Sequence, residues 1–215
     1  MMFVPKEYRR TDPSWTAQLI RQHALACLVT NGEPWPLATH VPIIVDPTGP
    51  VDTDDPAGLV GARLLGHLNR GNPHWRTLRA QQSALLVFQG PNGYVSPTVY
   101  QTTPAAPTWD FTSVHIRGTL DPIEDAERTL EIVRQTVTTF EHDLGSGWDM
   151  TESLRYFGRL LPGVGAFQFT VHTVDGMFKL SQEQQPQVRN RVAASFAASQ
   201  CAVHQALAEY IRRAG

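Results

Sequence analysis

Six apolar segments, at residues 24–30, 37–45, 59–67, 84–89, 111–120 and 165–174, have the composition and alternation of strands, and only one substantial helix interrupts them. Parallel neighbours would need a crossover between most pairs of strands, whereas antiparallel neighbours need only turns. The pattern therefore predicts a mainly β fold with helices, an α+β barrel that is small and largely antiparallel. A chain of 215 residues can bury one sizeable core. A single domain over 1–215 is expected, with a helical extension from about 184 to 215.

The helix starts are marked by capping chemistry. Asp12-Pro13, Asp121-Pro122 and Asp149 each offer an N-cap oxygen, and Glu124 and Glu152 complete capping boxes. After the second of these, Ala126, Leu130, Val133, Val137 and Phe140 recur at three-four spacing, with Glu127, Arg128, Glu131 and Arg134 on the other side. That is an amphipathic helix lying on a core, and Gly145-Ser146-Gly147 ends it. From about Gln187, Val188, Val192, Phe196, Val203, Leu207 and Ile211 predict one long C-terminal helix whose stripe packs.

Charge excludes some partners. The net charge of −2 comes without any run of Lys or Arg, which argues against duplex DNA, and Arg189, Arg191, Arg212 and Arg213 read as a solvated helix face. No segment approaches the roughly 18 apolar residues of a membrane span, and the N-terminus has no apolar leader core, so a cytoplasmic protein is expected. The two cysteines, Cys27 and Cys201, have no metal or disulfide spacing and read as packing residues. The loop 46–58 is rich in Asp but lacks the central Gly and bidentate Glu of a calcium loop, so it reads as solvated.

The polar groups fall into three blocks. The run Gly66-His67-Leu68-Asn69-Arg70-Gly71-Asn72-Pro73-His74-Trp75 places an imidazole, an amide and a guanidinium where an apolar strand stops. Strand alternation sets Arg63 and His67 on one face, with Leu59, Gly61 and Leu65, so that both can reach one ligand. In 111–120, Val114, Ile116 and Leu120 line one face and Ser113, His115, Arg117 and Thr119 the other. Tyr94, Ser96 and Tyr100 lie in the second block, where Trp109 is either an aromatic lid over a flat ligand or a core residue. The third, Lys179-Leu180-Ser181-Gln182, brings a cation, a hydroxyl and an amide together.

These blocks, with Thr39-His40-Val41-Pro42, Phe88-Gln89-Gly90-Pro91 and Pro107-Thr108-Trp109-Asp110-Phe111, resemble the PaiB-type FMN-binding split-barrel proteins named as negative transcriptional regulators. The likeness runs from Phe3 to about Gln184. It implies a homodimer of split β-barrels with cofactor pockets at the subunit interface. Three departures stand out. Ser96-Pro97-Thr98-Val99-Tyr100 replaces Ser-Pro-x-Trp-Tyr, no basic residue follows in Gln101-Thr102-Thr103-Pro104-Ala105-Ala106, and Glu183 replaces the Asn that closes Lys-Leu-Ser-Gln-Asn.

With those departures the chain is similar to the haem-dependent piperazate synthases of nonribosomal-peptide pathways. That resemblance implies dehydrative cyclisation of N5-hydroxy-L-ornithine, an amino-acid substrate, to L-piperazic acid. It implies non-covalent haem b, since no Cys-x-x-Cys-His motif is present. His67 is then the first choice for the axial iron ligand and His115 the second. Arg63 pairs with a propionate, and Tyr94, Ser96, Trp109 and Arg117 line the cofactor or substrate. Lys179 or Tyr100 is the proton donor. The alternatives are an FMN-binding flavin reductase and a PaiB-type regulator.

Overall fold

The computed structural model describes residues 2–10, 12–49 and 58–215. In chain order its elements are α1 (Ser14–Gln22), β1 (Leu25–Thr30), β2 (Leu37–Val45), β3 (Arg63–Asn69), α2 (Pro73–Thr77), β4 (Gln82–Val95), α3 (Pro97–Tyr100), β5 (Thr108–Ile123), α4 (Ala126–Asp143), α5 (Leu154–Leu160), β6 (Val164–Lys179), α6 (Pro186–Ala197) and α7 (Ala202–Arg213). The chain divides into two compact units. One comprises Asp12–Phe88 and His115–Val174, and the other Met1–Thr11, Gln89–Val114 and Asp175–Gly215. They are called the barrel unit and the terminal unit below.

The strands close into a barrel in the order β1-β2-β3-β6-β5-β4. Within the barrel unit β2 pairs antiparallel with β1 and β3, β3 pairs with β6 from Arg63↔Thr170 to Asn69↔Val164, and Cys27 of β1 stands opposite Val87 of β4. Alternation sends Leu28, Leu64, Leu86, Phe88, Ile116, Phe167 and Phe169 into full burial. Each such side chain contributes about 1.5–3 kcal/mol of transfer free energy. The opposite face of β2, β3 and β6 offers Ile44, Leu65 and Ala166, on which Ile132 of α4 packs with Ile123 and Phe140 alongside.

That helix differs from its expected form at two points. It starts at Asp125, whose carboxylate accepts from Arg128 N, because β5 runs on through Asp121-Pro122 and the Asp121 carboxylate instead accepts from Gln81. Its buried face is Thr129, Ile132 and Thr136, while Ala126 is exposed and Leu130 and Val137 are half-buried. The threonines can be buried because each hydroxyl donates to a backbone carbonyl one turn back, Asp125 O and Ile132 O. Asp149 accepts from Thr151 N but lies one residue ahead of the N-cap Met150, and neither the short turn Thr151–Ser153 nor α5 after it has a side-chain cap.

In the terminal unit the predicted long C-terminal helix is two helices. Ser199 breaks it: its hydroxyl meets His204 Nδ1 and accepts from Cys201 N, and its carbonyl accepts from Gln205 Nε2. Val203 is consequently exposed, and so is Cys201, which is not a packing residue. Arg191 is not a solvated charge either. Its guanidinium donates to Val99 O and Tyr100 O at the end of α3. Among the described residues no helix is long and apolar enough to cross a membrane.

Candidate functional site

His67 lies half-buried near the end of β3, opposite Ala166 of β6. Its Nδ1 is buried and has no hydrogen-bond partner, and burial pushes the imidazole below its ordinary pKa. The ring is therefore neutral at pH 7, the form that coordinates a metal. Arg63 lies on the same face, but Leu65 stands between them beneath Ile132. The Arg63 guanidinium is taken by Asp46: Nε is 3.2 Å from Oδ2, though not aligned as a hydrogen bond, and Nη2 donates to Thr48 O.

Asp46 is buried, contrary to a fully solvated 46–58 loop, and Arg128 Nη2 and the Thr48 hydroxyl and N–H complete its shell. Asp52, Asp54 and Asp55 of that loop lie outside the described residues. Leu59 and Gly61 belong to a turn ahead of β3, closed by Ala62 N donating to Leu59 O.

His115 and Arg117 sit half-buried on β5, in the alternation expected of them. Gly118 lies against Thr170 O and Thr119 reaches His172, whereas His67 pairs with Ala166. At about 3.3 Å per residue, the two histidines are on the order of 20 Å apart along β6. One protomer does not bring them to a common metal. A pocket of about 300 Å³ lined by Ile20, Ile43, Leu59 and Phe140 contains neither.

The other candidates belong to the terminal unit. Tyr94 and Trp109 form an edge-to-face pair with ring centroids 6.1 Å apart, both about half exposed, so Trp109 is not a core residue. The Ser96 hydroxyl accepts from Thr98 N and meets the Thr98 hydroxyl, which caps α3. Tyr100 is buried, and burial, with Asp110 and Glu183 adding to it, raises its pKa and keeps the phenol protonated.

Lys179 Nζ donates to the Thr108 hydroxyl and lies 5.7 Å from the centre of the Tyr8 ring. Beside it, fully buried Asp110 accepts from the Ser181 hydroxyl at 2.6 Å and from Ser181 N at 3.2 Å. Burial pushes this carboxyl up to about 6, with the Ser181 bond opposing, Glu183 reinforcing and Lys179 opposing. Burial, with the charges of Glu183 and Glu7 adding to it, pushes Tyr8 up to about 12. Gln182 Nε2 ties the same turn to Glu7 O.

Sequence reasoning missed Tyr8, Asp110 and Glu183 as site residues. Glu183 had a signal as a departure from the family pattern, and Asp110 sat inside a quoted block; Tyr8 had none.

The sequence profile of the family described as "Putative FMN-binding domain" matches residues 2–173. The chain belongs to this family. It is 29% identical over 184 residues to "Protease synthase and sporulation protein PAI 2" of Bacillus subtilis, covering 85% of this chain and 83% of that one. Among solved structures it is similar to the FAD and heme binding protein from Mycobacterium smegmatis, with TM-score 0.53, 15% identity, and coverage of 79% and 72%. It is also similar to the flavocytochrome Anf3 from Azotobacter vinelandii, with TM-score 0.50, 13% identity, and coverage of 80% and 67%. At these identities the likeness establishes the split-barrel fold.

Proposed function

We propose that this protein is a haem-dependent piperazate synthase acting as a homodimer of split barrels. The observation that carries the reading is His67, a neutral imidazole with an unsatisfied buried ring nitrogen on the barrel's outer face. A buried polar group without a partner costs about 1–3 kcal/mol, so a ligand that engages the imidazole gains where water has little access. The altered Ser96-Pro97-Thr98-Val99-Tyr100 block and the cation-free loop after it support haem over a flavin phosphate. The FAD and heme binding protein from Mycobacterium smegmatis, similar in fold, is compatible with haem as well as with a flavin.

The reaction forms the bond between the α-nitrogen and N5 of N5-hydroxy-L-ornithine, breaks the N5–O bond and releases water, with no net oxidation. Bound haem iron supplies Lewis-acid activation of the hydroxylamine. His67 would hold the group through its neutral imidazole. Within the terminal unit, Tyr100 keeps its proton through neutral pH, the state a proton donor needs, and Tyr94 and Trp109 present apolar ring surface edge to face. Arg63 stays with Asp46, which withdraws it as the partner of a propionate.

Titration with hemin, in parallel with FMN, tests the reading. A stoichiometric Soret band that disappears in a folded His67→Ala protein is expected, together with conversion of N5-hydroxy-L-ornithine. Saturable FMN binding with no specific haem band overturns it in favour of a flavoprotein.

A further inference from the structure

The barrel unit holds a cavity in which neither His67 nor His115 takes part. About 300 Å³ lies between α1, β2 and the last turn of α4, walled by Ile20, Ile43, Ile44, Leu59 and Phe140. Ile20, Ile43, Ile44 and Leu59 are themselves buried, so the space is set into the core layer. Val45, also in the wall, is 46% exposed and leaves apolar surface in water. A ligand that fills the pocket removes such surface from water, a gain proportional to the area covered. There is room for at least about ten non-hydrogen atoms, at the ~30 Å³ that a water molecule takes up in the liquid. A ligand of that size with an aliphatic body matches these walls.

The polar groups of the pocket select the end group of such a ligand. Arg21, exposed in the last turn of α1, lines the pocket and makes no hydrogen bond or ion pair among the described residues. The Thr139 hydroxyl is a second open donor. Thr129 and Thr136 of the same helix donate to carbonyls one turn back, whereas Thr139, half-buried in the pocket wall, makes no hydrogen bond among the described residues. The remaining charge, Asp143, is engaged, its Oδ1 2.7 Å from His142 Nδ1. Two unengaged donors beside an apolar hollow call for an acceptor, and the planar fork of a guanidinium matches the two oxygens of a carboxylate.

We propose that the pocket between α1, β2 and α4 binds a medium-chain aliphatic carboxylate, its tail among Ile20, Ile43, Ile44 and Leu59 and its head on Arg21. The site goes beyond the synthase reading and stands without it.

Calorimetric titration of the full chain with hexanoate, octanoate, octan-1-ol and octylamine tests it. Octanoate is expected to bind at one site per chain and about fifteenfold more tightly than hexanoate, two buried methylenes being worth about fourfold each. It should bind about two- to fivefold more tightly than octan-1-ol or octylamine, the scale of an exposed ion pair. Arg21→Gln should remove that margin and leave the dependence on chain length. Ala17→Leu, at another exposed position of α1 on the pocket wall, should weaken octanoate at least about tenfold by filling the entrance. Both substitutions put good helix formers at exposed helix positions, so both variants keep the fold.

Tighter binding of octylamine than of octanoate moves recognition to Asp143 and overturns the carboxylate. Octanoate affinity unchanged in Arg21→Gln overturns the head group's place. Affinity unchanged in Ala17→Leu, uptake at many sites with no dependence on chain length, or no octanoate binding by the parent overturns the site. No probe is a hydroxylamine and no readout involves haem, so the synthase reading and this one fail separately.

Discussion

Ser181 and Asp110, 71 residues apart, are joined by two hydrogen bonds to one buried carboxylate, from the serine hydroxyl at 2.6 Å and its N–H at 3.2 Å. Ser181 adopts φ of 57°, the left-handed region that costs a residue with a Cβ about 1–2 kcal/mol. The carboxylate thus holds the turn after Lys179 in a conformation it would not adopt alone. Ser181→Ala should lose about 1.5–3 kcal/mol, the worth of a hydrogen bond to a charged group. Ser181→Gly loses the same hydroxyl but relieves the backbone, so it should be the milder variant. Chemical denaturation of both checks the order.

Asp110 also makes stability depend on pH in the direction opposite to most carboxylates. Burial raises its folded pKa to about 6, above the ordinary 3.8, so the folded state holds the proton more tightly than the unfolded one. Its contribution is therefore fully present below about 3.8 and is lost as pH rises through about 6. The span corresponds to about 3 kcal/mol. Melting curves of the parent and Asp110→Asn between pH 4.5 and 7.5 should show the parent gaining on the variant as pH falls below 6. A constant difference across that range would remove Asp110 as the titrating group.

Gly118 of β5 has no room for a side chain: a Cβ there would lie 1.9 Å from Thr170 O and 2.6 Å from a Phe169 ring carbon. The obstacle is backbone, which cannot rotate aside. Gly118→Ala should cost more than the 1–3 kcal/mol usual for overpacking and yield little soluble protein, which expression and melting temperature would reveal.

How far the sequence could be read depended on whether the decisive contact was local. β2 was legible to the residue, since its apolar run is bounded by Trp35-Pro36 and Asp46-Pro47. β4 ran past its expected end at Gln89 because Gly90-Pro91-Asn92-Gly93 reads as a turn. At Gly93 the close approach of Phe196 and Leu207, within 2.4 and 3.3 Å of a would-be Cβ, requires the missing side chain instead. The break in the last helix hung on one hydroxyl, Ser199, amid a continuous apolar period. In the site, His67 was visible because a glycine, an apolar strand and a polar turn surround it. The Asp110–Ser181 and Tyr8–Glu183 pairs were not, because each joins segments far apart in the chain.

His74 gives the barrel unit a pH response of opposite sign to that of Asp110. It is 2% exposed, with Nε2 2.8 Å from the Thr30 hydroxyl and Nδ1 2.9 Å from the Thr39 hydroxyl, which also accepts from Asn72 Nδ2. Burial lowers its pKa, as it does for His67 and His23. The unfolded chain then binds the proton more readily, so the stability these histidines contribute is full above about 6.5 and is lost as pH falls below it. His74→Ala leaves a cavity and the buried Thr30 hydroxyl without this partner, while the half-buried Thr39 hydroxyl keeps Asn72, a loss of about 2–5 kcal/mol at pH 7.5. Below pH 6.5 the parent should give up part of that advantage, so the gap between parent and variant narrows on acidification, whereas the gap for Asp110→Asn moves in the parent's favour. In the parent the two effects offset each other between pH 6.5 and 5, and the double variant should restore a flatter profile than either single one. Stability of all four proteins measured at pH 5.0, 6.0 and 7.5 tests this; parallel gaps for the two single variants would contradict the assigned signs.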